Sequence, residues 1–148
     1  MTGKEVVWPW GMTERDPDPA SRPWVFNPVG FLLAVLENDA EAERAAATLE
    51  GVGFTDAEHR SYSGEQVVQD RERFQAQQST ARRLVERVTI DSEVVQLLLD
   101  YAHAGRAFLW VRAPKREDAN RAIRGLTANN VLYFRYYGAA GVEEIRMP

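Results

Sequence analysis

The chain has 148 residues, with 18 Lys and Arg against 22 Asp and Glu, two His and no Cys, and 45% of it is hydrophobic. That composition suits one globular domain and excludes a disulfide framework, a zinc ribbon and a thiolate nucleophile. A formal net charge of -4 works against general affinity for nucleic acid or anionic membrane, and no apolar run approaches the ~20 residues that span a bilayer.

Residues 1–28 hold three of the four Trp (Trp8, Trp10 and Trp24) and five of the seven Pro. Proline fixes φ and removes a donor, so this segment forms neither a regular helix nor a central strand. Disordered leaders are poor in aromatics, and three indoles left in water would expose much apolar surface. The segment therefore reads as an extended arm that docks Trp8, Trp10 and Trp24 on a surface of this subunit or a neighbour. Met1 to Arg22 contains no apolar stretch of signal-peptide type, which makes the cytoplasm the expected address.

From Phe31 a single domain, residues 29–148, is expected. Phe31 to Leu36 is an apolar run suited to a buried strand, and Asn38 followed by Glu41 reads as a capping box opening a helix. Ala42, Ala45, Ala46 and Leu49 form one apolar stripe, stopped by Gly51 and Gly53. Glu58 to Ser63 reads as a second strand ending at the turn residues Ser63 and Gly64.

Between about residues 67 and 104 lies a charged helical insertion. Val67, Val68, Phe74, Ala81, Leu84, Val85 and Val88 roughly follow a helical period. A shorter helix follows, capped by Asp91 or Ser92, with Val94, Val95, Leu97, Leu98 and Tyr101 on its apolar side and Gly105 as its stop.

The first unit then recurs 77 residues on without a gap. Phe108, Leu109, Trp110 and Val111 answer Phe31, Leu32, Leu33 and Ala34. Ala119, Ala122, Ile123 and Leu126 answer Ala42, Ala45, Ala46 and Leu49, and Arg121 answers Arg44. Val131 to Tyr137 supplies the closing strand. Two strand–helix–strand units in matching phase predict an α+β, ferredoxin-like split βαβ sandwich with the insertion between its halves.

Alternation along the strands divides the sheet into two faces. One carries Phe31, Leu33, Val35, Phe108, Trp110, Arg112, Tyr133, Arg135 and Tyr137; the other carries Leu32, Ala34, Leu36, Leu109, Val111, Leu132, Phe134 and Tyr136. Arg112 and Arg135 assign the first face as the open one, because a helix-covered core would leave a guanidinium unpaired. That face is too apolar to stay wet. The inserted helices, a second subunit, a small apolar ligand or stacked single-stranded nucleic acid are its possible covers. Arg106 to Val111 partly matches the aromatic strand motif of RNA-recognition domains, but its two glycine positions are Ala107 and Leu109, and the acidic balance opposes the reading.

Chemistry-bearing motifs are few. Gly51-Val52-Gly53 follows a helix, with Asp56 where a dinucleotide fingerprint needs Gly. Neither a phosphate-binding loop nor a nucleophile elbow occurs, and Glu143 and Glu144 read as solvating carboxylates. No metal-ligand spacing links His59 and His103, so no metal or cofactor is expected. Phe108, Trp110, Arg112, Tyr133, Arg135 and Tyr137, with His59 at the sheet edge, are the ligand or interface candidates; none is expected to be catalytic.

Three stretches together resemble a known family. Phe31 to Gly53 followed by Tyr62-Ser63-Gly64, Tyr101 to Val111, and Tyr136-Tyr137-Gly138 leading to Val142-Glu143-Glu144-Ile145 are similar to the general stress protein-like family of small bacterial ferredoxin-like domains. The resemblance implies a ferredoxin-like fold and a stress association, and carries no catalytic residue. The arm and the charged insertion depart from it. Together these readings lead to a non-enzymatic, self-associating domain, a homodimer before higher oligomers, that uses the open sheet face. The alternatives are a haem or aromatic-substrate site of monooxygenase-like, dimeric α+β barrel type, and weak single-stranded nucleic-acid binding on the sheet.

Overall fold

The computed structural model describes residues 19, 23–24, 28–76 and 92–146. In chain order these form β1 (Phe31–Leu36), α1 (Asp39–Gly51), a short 3-10 turn (Asp56–Glu58), β2 (His59–Tyr62), α2 (Gly64–Ala76), α3 (Ser92–His103), β3 (Ala107–Arg112), α4 (Arg116–Leu126), β4 (Val131–Gly138) and β5 (Gly141–Arg146). The five strands form one antiparallel sheet in the order β2-β3-β1-β4-β5. Its first four strands have the arrangement of a ferredoxin-like split βαβ sandwich, as the repeat predicts.

The local signals of the first unit act as expected except that the capping box is only half formed, since the Glu41 carboxylate pairs with Arg44. Asn38 caps α1 by accepting the Glu41 backbone N–H at 2.9 Å. Ala42, Ala45 and Leu49 are buried, and Gly53 adopts a positive φ of 102° just beyond the helix end. The second unit repeats these features. Ala119, Ala122 and Leu126 are buried on α4, and Asn130 takes the positive φ, 36°, before β4. The expected Arg44 and Arg121 correspondence extends to their partners. Arg44 meets Glu41, and Arg121 meets Asp118, each three residues upstream.

α1 and α4 cover one sheet face. Leu32, Ala34, Leu36, Leu109, Val111, Phe134 and Tyr136 from the strands pack there with Ala42, Ala45, Leu49, Ala119, Ala122 and Leu126. Leu132 is a correction: it packs on the opposite face, and Val131 joins this core instead. The register of β4 against β1 slips between Val35 and Leu36, so that Val35 faces Tyr133 while Leu36 faces Val131. A bulge of one residue inverts the alternation beyond it.

α2 and α3 cover the other face. Leu33, Val35, Phe108, Trp110, Tyr133 and Tyr137 pack with Val67, Leu98, Ala102, Tyr62 and Trp24 into a second core. The expectation of an open face is thereby corrected. The premise behind it fails because Arg112 sits exposed at a strand end, while Arg135 is paired. The helix α2 starts earlier than its apolar periodicity implies. Ser63 and Gln66 exchange backbone-to-side-chain bonds of 2.8 and 3.1 Å, which caps α2 where a turn was expected. Ala81, Leu84, Val85, Val88 and the Asp91 cap lie outside the described residues.

α2 and α3 approach closely at Gly64. A Cβ there would lie 2.9 Å from both the Ala102 carbonyl carbon and the Arg106 carbonyl oxygen, and closer still to the Ala102 oxygen. Only glycine fits that contact. From the arm, Trp24 is 4% exposed; its backbone N–H donates to Asp70 at 3.0 Å and the Arg71 guanidinium stands 5.4 Å from its ring. The Tyr62 hydroxyl donates to the Pro19 carbonyl. Trp24 thus docks on α2, and Pro19 on Tyr62 of β2, within one chain. Trp8 and Trp10 lie outside the described residues.

Candidate functional site

The seven candidates from the strands do not form one site. Phe108 is 1% exposed and belongs to the second core, opposite Tyr62 in the β2–β3 register. The other six divide into a cluster on β4 and β5 and a depression at the β2 end of the sheet. The tilted ring pair of Trp110 and Tyr137, 6.0 Å between centroids, lies between them.

In the first cluster, antiparallel pairing sets Arg135 opposite Glu144, and Tyr133 opposite Arg146. The Tyr133 hydroxyl donates to Glu144 Oε2 at 2.7 Å and accepts from Arg135 Nη1 at 3.2 Å. Arg135 Nη1 also stands 3.4 Å from the same carboxylate oxygen and its guanidinium lies 5.4 Å from the Tyr137 ring. Glu144, read from sequence as a solvating group, is therefore the partner that makes a half-buried Arg135 tolerable. The signal for it was present in the alternation of Val142 and Glu144 against Glu143 and Ile145 after the Gly138–Gly141 turn.

Burial pushes the Tyr133 hydroxyl well above the usual tyrosine range, and the hydrogen bond to Glu144 pushes it further. Burial likewise raises Tyr137. Burial alone would lower Arg135, but the Tyr133 hydrogen bond and the neighbouring Tyr137 outweigh it, and its pKa rises. A tyrosine raised away from neutrality is a poor general base. The cluster is suited to fixing the β4–β5 hairpin on the sheet.

The second group lines a depression of about 60 Å³ formed by Phe31, Glu58, His59, Arg60, Trp110 and Arg112. Tyr133 and Arg135 do not line it. Its volume is well short of the ~300 Å³ at which pockets take a whole small molecule. Arg60, which sequence reading passed over, faces Trp110 across the β2–β3 pair, and Arg112 faces Phe31 across β3–β1. His59 Nε2 lies 3.2 Å from Glu50 Oε2. His103, at the end of α3, is exposed.

A further exposed feature is β5. All six of its residues are exposed, and Val142 and Ile145 are among the large hydrophobics most open to solvent, at 46% and 40%. It is the outermost strand of the sheet. Among the described residues no group of three or more His, Asp or Glu is placed to hold a metal ion, and no helix is long and apolar enough to cross a membrane. Comparison with family models, curated proteins and solved structures finds no match to this chain.

Proposed function

We propose that this chain is a non-enzymatic interaction domain that pairs with a second copy of itself edge to edge through β5. The supporting observation is the exposed outer strand, which carries Val142 and Ile145. The unpaired backbone groups of an outer strand accept another strand, and of the charges on this edge, Glu143, Glu144 and Arg146, the last two can serve as pairing contacts. Self-association was first expected on the Trp110 and Tyr133 face. That face is covered within the chain by α2, α3 and Trp24, which leaves the β5 edge as the surface proposed here.

The residues of β5 are also self-complementary. In a two-fold antiparallel pairing centred on Ile145, that residue meets its own copy, and Glu144 and Arg146 each face the other's counterpart. Opposite charges and apolar pairs across strands stabilise by about 0.2–1 kcal/mol each. A symmetric contact of this kind closes at two copies and joins their sheets into one. The resemblance to stress-associated domains adds a fold expectation to this reading and no residue role.

Sedimentation equilibrium tests it. The chain should run at twice its formula mass, and Arg146→Glu, which sets like charges opposite each other, should shift the equilibrium toward the monomer by roughly tenfold or more, about 1.4 kcal/mol. A wild-type chain that stays monomeric at high micromolar concentration overturns the proposal.

A further inference from the structure

The depression at the β2 end is rich in donors and poor in acceptors, and it lies apart from the β5 edge. Arg60 and Arg112 make no ion pair with an acid among the described residues; Arg60 is placed 5.7 Å from the Tyr62 ring instead. Trp110 is 3% exposed, and its indole N–H, closed to solvent, has no acceptor among the described residues. An unmet buried donor is costly, and native structures rarely leave one without a partner or a bound molecule. The acid on the lining, Glu58, is already held by the Thr55 backbone N–H at 2.8 Å and its hydroxyl at 3.2 Å. His59 is engaged with Glu50.

We infer that this depression binds the carboxylate head group of a small organic acid. Planar guanidinium groups match a carboxylate in fork geometry, and the Trp110 indole on the same lining reports on occupancy. Two Arg charges against one Glu leave a single positive charge, which suits a monoanion better than a phosphate dianion. The volume of about 60 Å³ holds a head group alone, and Phe31 and Trp110 offer apolar walls to the part of the acid next to it.

The test uses the full chain, labelled with ¹⁵N, and follows the Trp110 indole N–H resonance during titration with benzoate, acetate and inorganic phosphate. Benzoate should shift it saturably, acetate more weakly, and phosphate with at least about tenfold lower affinity. The exposed double substitution Arg60→Gln with Arg112→Gln should leave the rest of the spectrum folded and weaken benzoate binding by about tenfold or more. No saturable shift, a shift unchanged in the double variant, or phosphate binding as tightly as benzoate would overturn the inference. Repeating the titration on Arg146→Glu separates this result from the state of assembly.

Discussion

Leu33 and Trp110 face each other across the β1–β3 pair and are also 77 residues apart, the offset of the internal repeat. Register and repeat coincide at this pair, so the approximate two-fold axis of the domain passes between them. The same offset relates the Glu41–Arg44 and Asp118–Arg121 ion pairs and the positive-φ positions Gly53 and Asn130. The inner strands and their two helices therefore form one repeated frame. What breaks the repeat is α2 with α3 on one side and β5 on the other; the pairing proposal falls on β5, whereas the depression is built on β1, β2 and β3 of the repeated frame.

The close backbone approach at Gly64 is tested by a single methyl. Gly64→Ala places a Cβ against the Ala102 and Arg106 carbonyls, where backbone must move to admit it. The expected cost is about 3 kcal/mol or more, the upper end for overpacking. Gly51→Ala is the matched control, because a Cβ at the end of α1 meets nothing within 4 Å. It should stabilise by about 0.5–1 kcal/mol. Thermal unfolding reads both, at about 2–4 °C per kcal/mol for a chain of this size.

Alkaline pH should weaken the fold. Tyr133, Tyr136 and Tyr137 are all raised in the folded chain, foremost by burial, whereas an unfolded chain releases its tyrosine protons near pH 10. Above about pH 10 the unfolded state therefore holds fewer protons, and stability falls as pH rises; below that value the contribution is fully present. Urea midpoints measured from pH 8 to 11 should drop at the alkaline end, and Tyr133→Phe should flatten the drop. A level profile in the wild type would refute the assignment.

Trp24 should anchor the arm through its ring. It is 4% exposed against α2, so Trp24→Ala should cost about 3–5 kcal/mol in urea unfolding. Asp70 is 3% exposed and receives the Trp24 backbone N–H. That bond survives the substitution, so the loss measures ring burial. A change under about 1 kcal/mol would mean that the second core closes without Trp24.

The repeated frame was legible because its signals are local. The Asn38 cap, the alanine stripes, the apolar strand runs and the Gly53 stop each lie within a few residues of the feature they specify. Partnership between distant residues was not legible. Arg135 reads as a residue for an uncovered face until β5 sets Glu144 opposite it. The Leu132 bulge depends on register against β1, which no alternation pattern within β4 reveals. Among the candidate site residues, Trp110, Arg112 and His59 were found by their types and strand positions, whereas Arg60 was missed because a short edge strand carries little periodicity.

The most direct test of pairing through β5 uses the absence of native Cys. A nitroxide placed on Val142→Cys reports distances between copies by double electron–electron resonance. Antiparallel pairing centred on Ile145 sets the two labelled positions six residues apart along the joint, about 20 Å at strand rise. A single narrow distance near that value is the expected result; the absence of dipolar coupling between copies, or a much longer distance, would contradict the account.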